Sequence, residues 1–450
     1  GFFFVTESDL LDGGPDVQRR SMALELLNLE LSLLEPWLAA GTPQASIEAG
    51  GREMTGPVLR VNRSQLALPF WSSAGAQYAP DVPSTRNLAV LVPGIPESAN
   101  AYEIAAGGLA SLKHRRVTGG TQLTLERFGL RSALVLAQDA ILVSELTRRV
   151  EQIGPRSAQL HRDLAADALQ ATIEIQRELP PGAVTAAEAS IRLREAQQST
   201  QIADSYLAAR EYRRARDAAG QAMRVLQMLQ RQYWKDAVAE LSSPVTSPGA
   251  CSFATLPWHK RLGDRIRASQ YGQNQLAGGD FERLDLLLRY GWEHMEHPAE
   301  GCTTSVDLVP KASRSGNTGL RILAAPADPD NVPAVVEMPP VWIISPPLPV
   351  EAGQLIVIHG YARAPKPIAG SEDGLMIFDS FSGEGLGERV GRTNGWQPFT
   401  LFRVAPRSGS LRVTFALSGL GEAHVDDVTI RPLYPATPAT AHQLGGSRHW

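Results

Sequence analysis

Cysteine is scarce: the 450-residue chain has two, Cys251 and Cys302. Two cysteines make neither a disulfide framework nor a zinc site. They can pair with each other or stand as separate thiols, and their number sets no redox compartment. Long apolar runs are missing too. The longest, Ala133 to Val143, is interrupted by Gln138 and Asp139, well short of the roughly 20 residues a helix needs to cross a bilayer. Blocks of like charge are also missing. The net charge is -4, and pairs such as Arg148-Arg149 and Arg213-Arg214 sit inside helical patterns, which argues against a nucleic-acid partner.

Catalytic signatures are equally thin. The chain has no GxSxG, no Walker loop and no Rossmann glycine pattern. Trp292-Glu293-His294-Met295-Glu296-His297 lacks the HExxH spacing of a zinc enzyme. Gly383 to Gly391 is glycine-rich but precedes no helix, so it is no phosphate cradle. The chain begins Gly1-Phe2-Phe3-Phe4, with no Met and no leader-type segment. It is therefore expected to be a piece of a longer protein.

What is present reads as several domains. Phe2 to Val5 is a short buried-strand signal ending in the acidic stretch with Glu7 and Asp9. A helix is expected from about Asp16 to Ala40, with Leu24, Leu27, Leu31 and Leu34 at helical spacing and Pro36 ending or kinking it. Residues 1–50 are thus the last strand and helix of a truncated domain. Residues 55–138 alternate short apolar strands with turns, including Val58–Val61, Leu66–Leu68, Leu88–Val92, Gln122–Leu125 and Ala133–Leu136. That pattern predicts a small antiparallel β-sandwich. Residues 139–243 read as a helical hairpin broken at Leu179-Pro180-Pro181-Gly182. Within it, 204–215 resembles one tetratricopeptide-type unit; a single unit cannot bury its own face, so a plain hairpin is expected. Residues 244–277 read as a linker, 278–434 as strands, and 435–450 as a disordered tail. The fold class is mixed and multidomain: β-sandwich, then α-helical hairpin, then a C-terminal β-sandwich.

The last domain carries ordered landmarks. They are Gly279-Asp280-Phe281-Glu282, Gly291-Trp292, Arg314 to Ile322, Glu351-Ala352-Gly353-Gln354, Gly395-Trp396-Gln397-Pro398-Phe399-Thr400 and His424-Val425-Asp426-Asp427-Val428. Their order over residues 278–434 resembles carbohydrate-binding modules of families 4 and 9, the CenC-like jelly-roll. The insertion Ala325 to Pro340 departs from that pattern. The resemblance implies a structural Ca2+ held by Glu282 and Asp426, and calcium does favour carboxylate oxygens. It also implies a glycan or polysaccharide as ligand. Sugar rings stack on aromatic faces and need polar groups beside them, so the candidate glycan-binding residues are Trp342, His359, Tyr361, Phe378 and Asp379. Trp292 and Trp396 are expected in the core.

The upstream part resembles, in layout, the post-barrel end of glycoside hydrolases, where a (β/α)8 barrel precedes an accessory sandwich. Glu7 and Asp9 lie at i and i+2 and are poorly placed as the opposed pair of carboxylates a glycosidase needs. No complete catalytic site is evident. The expected function is a non-catalytic glycan-binding, accessory region of a large bacterial polysaccharide-handling protein, extracellular or at the cell surface. The alternatives are a scaffold that docks a protein partner on the helical hairpin, and a fragment of a glycosidase whose barrel lies upstream.

Overall fold

The computed structural model describes residues 14–44, 46–47, 54–71, 85–94, 99–129, 131–179, 184–239, 241, 243, 245–247, 253–297, 301–336 and 338–436. The strand expected at Phe2 to Val5, the carboxylates Glu7 and Asp9, Cys251 and residues 437–450 lie outside the described residues. The chain divides into two compact units, Gly1–Tyr233 and Trp234–Trp450.

The first unit opens with α1 (Pro15–Ala40), and Pro36 lies inside this helix rather than at its end. Proline lacks an N–H, which frees the carbonyl four residues back. Arg149 Nη1 donates to that Ser32 carbonyl at 3.3 Å. Short strands follow: β1 (Thr42–Pro43), β2 (Met54–Thr55), β3 (Val58–Val61), β4 (Ser64–Ala67), β5 (Phe70–Trp71), β6 (Thr85–Pro93), β7 (Asn100–Ala105), β8 (Gly108–Ser111), β9 (Lys113–Val117), β10 (Gly120–Phe128) and β11 (Leu134–Ala137). One sheet runs β1–β3–β4–β11–β7–β8 and a second β6–β10–β9. Val58, Ala67, Leu134 and Leu136 of the first meet Val90, Val92, Leu123 and Leu125 of the second in one buried cluster. This is a β-sandwich; the alternation predicts β3, β4, β6, β10 and β11, and the structure adds β1, β7, β8 and β9.

β11 is buried at every position. Its Val135 and Ala137 turn to the other face of the sheet, which α1 covers with Leu33, Leu34 and Trp37. The helix α2 (Ala140–Glu178) adds Leu146 and Val150 to the same cover. A strand covered on both faces reads as a continuous apolar run. The helical region continues with α3 (Ala186–Ala208) and α4 (Tyr212–Val238). It therefore has a second break that the hairpin reading lacked. Arg210 takes a left-handed φ of 60° there, and Glu211 N reaches back to the Tyr206 carbonyl at 2.8 Å. Small residues pack these helices: Ala165, Ala196, Ala203, Ala219 and Ala222 are fully buried.

The second unit begins earlier than sequence reading placed it. Val245, in the expected linker, is fully buried in the core of the last domain. The same stretch holds α5 (Leu256–Arg267) and β12 (Ser269–Tyr271). Then come α6 (Leu284–Tyr290), β13 (Glu293–Glu296), β14 (Cys302–Val309), β15 (Gly319–Pro326), β16 (Val341–Ile344), β17 (Leu348–Val350), β18 (Leu355–Arg363), β19 (Ala369–Asp379), β20 (Glu388–Val390), β21 (Gln397–Val404), β22 (Gly409–Leu411) and β23 (Val413–Pro435).

β23 belongs to two sheets. Its first part pairs with β16 and β19, giving the order β13–β16–β23–β19–β20. Its second part pairs with β15 and β18, giving β14–β15–β23–β18–β21. The strand passes from one sheet to the other around Gly419, whose φ of +107° and whose missing Cβ, 2.5 Å from the Ala369 carbonyl, admit only glycine. Ile322, Ile358, Leu401 and Val425 from one sheet pack against Ile343, Ile377, Phe415 and Leu417 from the other. The last domain is thus the expected jelly-roll type of sandwich. α5 lays Leu262 and Ile266 over one end of an outer face, on Leu355, Val357, Phe402 and Leu433.

Candidate functional site

The residues proposed from sequence for one sugar groove fall in three places. Trp342 (β16) and Phe378 (β19) share the outer face of the β13–β16–β23–β19–β20 sheet. His359 and Tyr361 (β18) lie on the outer face of the other sheet. Asp379, next to Phe378 on β19, points between the sheets and is fully buried. Successive residues of a strand face opposite ways, and the two outer faces of a sandwich face away from each other. One groove cannot hold all five.

On the first face, register sets a row across the sheet. Met295 pairs with Trp342, Trp342 with Ala416, Ala416 with Met376, and Met376 with Arg389. Ala416 is small, so the larger Trp342 ring leans over it toward Phe378, edge to face at 5.9 Å between centroids. His297 meets the other side of the indole at 5.3 Å. Phe378 and Met376 are buried, while Trp342 is half-buried and Met295 exposed. Trp342 Nε1 and His297 Nε2 are buried atoms with no hydrogen-bond partner, and such groups cost free energy until something pairs with them. Two ion pairs flank the row: Asp373–Arg389 at 2.6 Å and Glu293–Arg412 at 2.8 Å. The insertion leading into β16 shows Val332, Val335 and Met338 to solvent.

On the second face the aromatic rings are already engaged. The Arg314 guanidinium lies 3.4 Å from the centre of the Tyr361 ring and donates to Asp427 at 2.6 Å. His359 packs against Tyr361 at 5.3 Å and shares a 2.9 Å hydrogen bond with Thr400; burial holds its pKa below the usual histidine value. Trp396, expected in the core, is on this face and half-buried, with Arg363 4.9 Å from its ring centre. Trp292 is in the core as expected. Arg363 faces His424 Nδ1, and Glu422 faces its Nε2 at 2.6 Å. The imidazole therefore accepts from Arg363 and donates to Glu422, and burial lowers its pKa against the pull of Glu422. These groups satisfy one another, which sequence spacing could not reveal.

Glu282 and Asp426 both hold the loop Arg314–Thr318. Asp426 is fully buried and accepts from the amides of Arg314 (2.6 Å), Ser315 (3.2 Å) and Asp427 (2.8 Å). Burial raises its pKa, against the pull of those donors. Glu282 accepts from the Asn317 amide at 2.8 and 3.1 Å. Calcium takes six to eight oxygens. Here the carboxylate oxygens point at N–H donors, which an ion would have to displace. Among the described residues no group of three or more His, Cys, Asp or Glu gathers to hold one. The two carboxylates thus clasp one loop through its amides.

No protein-family model matches the chain, and no curated protein does either. Among solved structures it is similar to a CBM4 structure (17% identity, 35% of this chain and 99% of that one, TM-score 0.25). It is also similar to TmCBM61 in complex with β-1,4-galactotriose (11% identity, 35% and 98%, TM-score 0.23). A third is the CBM22-1 xylan-binding domain of Paenibacillus barcinonensis Xyn10C (17% identity, 32% and 94%, TM-score 0.20).

Proposed function

We propose that the second unit binds a neutral glycan on the outer face of the β13–β16–β23–β19–β20 sheet, around Trp342. The observation that carries this reading is the half-exposed Trp342, standing over Ala416 with a buried, unpartnered Nε1–H. An indole face supplies the apolar contact for a pyranose ring. The unpartnered His297 ring nitrogen lies beside it. The flanking charges are closed into ion pairs, which suits an uncharged polymer better than an acidic one. On this reading the chain is the non-catalytic, glycan-holding part of a polysaccharide-handling protein that works outside the cell or at its surface.

A docking role for the helices has weaker support. Ile191 and Ile202 of α3 are both exposed, but Glu195 and Gln198 lie between them on that face, so there is no continuous apolar stripe.

The test is a titration of the intact chain with soluble β-glucan, xylan, mannan, galactan and a sulfated polysaccharide, followed by tryptophan fluorescence and calorimetry. Saturable binding of a neutral polymer that Trp342→Ala abolishes supports the reading. Binding that survives this substitution, or no binding to any polymer, removes it.

A further inference from the structure

Arg431 stands apart among the arginines of the second unit. Arg321, Arg363, Arg389, Arg403 and Arg412 are buried or half-buried, and each donates to a carboxylate or an imidazole. Arg431 is half-buried too, yet it has no hydrogen bond or ion pair with any described residue. Its Nε is a buried atom without a partner, while its two terminal nitrogens are not buried and form the edge that solvent reaches. Drawing a guanidinium partly out of water without giving it an acceptor costs free energy.

Register sets two side chains beside it on the outer face of the β14–β15–β23–β18–β21 sheet. Arg431 pairs with Val357 and Thr429 with His359, so His359 is the diagonal neighbour of Arg431 on β18. Leu433 pairs with Tyr271, which makes Tyr271 its diagonal neighbour on β12. Leu433 and Val357 lie under α5, so alternation puts all three groups on that same face, next to the helix. Tyr271 is exposed, and its hydroxyl has no partner among the described residues. Partial burial pushes its pKa up, so it stays a donor. His359 keeps Nδ1 on Thr400. The other charges that reach His359, Arg314 and Asp427, are paired with each other. One positive charge, that of Arg431, is left unbalanced.

We propose that Tyr271, Arg431 and His359 form a site for one carboxylate group, such as that of a sugar acid, on the face opposite the Trp342 platform. The terminal nitrogens of Arg431 offer N–H groups side by side to the two carboxylate oxygens, and the Tyr271 hydroxyl adds a donor beside them. The nearest acid of the protein does not compete for the place, because Asp427 is held by Arg314 and Ser315. A neutral hydroxyl would leave the charge of Arg431 unbalanced, and a cation would be repelled. The charge of the site thus selects the occupant.

The experiment follows the histidine ring resonances of the intact chain during titration with sodium D-glucuronate, against D-glucose and against sodium chloride at matched ionic strength. The His359 resonance is identified by its loss in His359→Gln. It should move saturably in glucuronate and stay in place in glucose and in chloride. A bound anion favours the imidazolium, so the pKa of His359 should also rise in glucuronate. Arg431→Gln should weaken glucuronate roughly tenfold or more, and Tyr271→Phe, which keeps the ring and removes one donor, about fivefold. Should Arg431→Gln melt early, Tyr271→Phe at its exposed position gives the reading with the fold intact. Trp342→Ala should leave glucuronate affinity unchanged, so the neutral-glycan reading and this one fail separately. Equal movement of the resonance in chloride and in glucuronate overturns the proposal, as does equal glucuronate affinity in the wild type and both variants.

Discussion

Arg403 and Asp379 form an ion pair at 2.6 Å between the two sheets of the second unit, with 1% and 0% of their side chains exposed. Asp379 also accepts from the amides of Phe381 and Ser382, each at 3.0 Å. Arg403 donates to the carbonyls of Val245 (3.1 Å), Thr246 (3.3 Å), Phe402 (3.0 Å) and Leu386 (2.8 Å). Every charge is paired and every donor group aimed, as a buried pair requires. Removing one partner strands the other. Arg403→Met or Asp379→Asn should therefore cost about 3–5 kcal/mol in urea unfolding. The double change to Met and Leu should recover much of that loss. A single-variant cost under about 1 kcal/mol would mean that solvent reaches the pair.

The sandwich architecture was legible because alternation and turn residues are local signals. The strands at Val58, Leu88, Gln122, Leu355 and Leu411 could be read from their own neighbours. What escaped was long-range. Asp379 looks like a polar strand end until Arg403, 24 residues on, is known to reach it. Trp396 sits in a landmark expected to be buried, yet Arg363 and His424 hold it on an outer face. The aromatic candidates divided between two faces because pairing with β23, which serves both sheets, is not written in any one strand. Val245 lies in a Ser/Pro stretch of linker composition, and only its burial shows that it is core.

That burial sets the boundary of the domain. A fragment of residues 278–434 lacks Val245, α5 and β12. It exposes Leu355, Val357, Phe402 and Leu433, which α5 covers, and it removes the Thr246 carbonyl that accepts from Phe402 N at 2.6 Å. At roughly 1.5–3 kcal/mol for each large apolar side chain uncovered, the loss is of the order of a whole domain's stability. A fragment of 241–436 should melt cooperatively, whereas 278–434 should be aggregated or molten by near-ultraviolet circular dichroism. Equal melting of the two would show that α5 contributes nothing.

If the glycan platform is the Trp342 face, the two outer faces should behave differently. Trp342→Ala removes a central aromatic contact, and losses of 2 kcal/mol or more, roughly 30-fold in affinity, are typical of such anchors. The Tyr361 ring is already covered by Arg314, so Tyr361→Ala should leave glycan affinity within about twofold. The reverse ranking, measured by calorimetry on one polymer, would move the site to the other sheet.

The clasp on the Arg314–Thr318 loop gives a sterically defined test. Gly316 has φ +71°, and a Cβ there would lie 1.8 Å from Glu282 Oε1. Gly316→Ala must strain the backbone or expel the carboxylate, at about 1–3 kcal/mol. If these amides alone hold Glu282 and Asp426, the melting temperature should be the same in calcium and in EGTA. A rise of several degrees in calcium would show that the ion displaces the amides.

Acid should weaken the fold before the carboxylates begin to titrate. His161 in the first unit and His259, His359 and His424 in the second all have pKa values held below the usual histidine value of about 6.5, with burial as the main cause. A buried neutral imidazole binds its proton less readily than it does in the unfolded chain. Below about pH 6.5 the unfolded state therefore carries more protons, and stability rises with pH through that window. The contribution is complete above pH 6.5 and is lost as the pH falls. Asp426, raised by burial, acts with the opposite sign and opposes this loss where it titrates. Urea midpoints should thus fall between pH 7.5 and pH 5. The slope should be shallower in His424→Gln, which keeps a side-chain partner for Arg363 and Glu422 but does not titrate. A profile that His424→Gln leaves unaltered would mean that His424 binds its proton equally in the folded and unfolded chain, and one that His424→Gln steepens would mean that it is protonated in the folded protein, as an ion pair with Glu422.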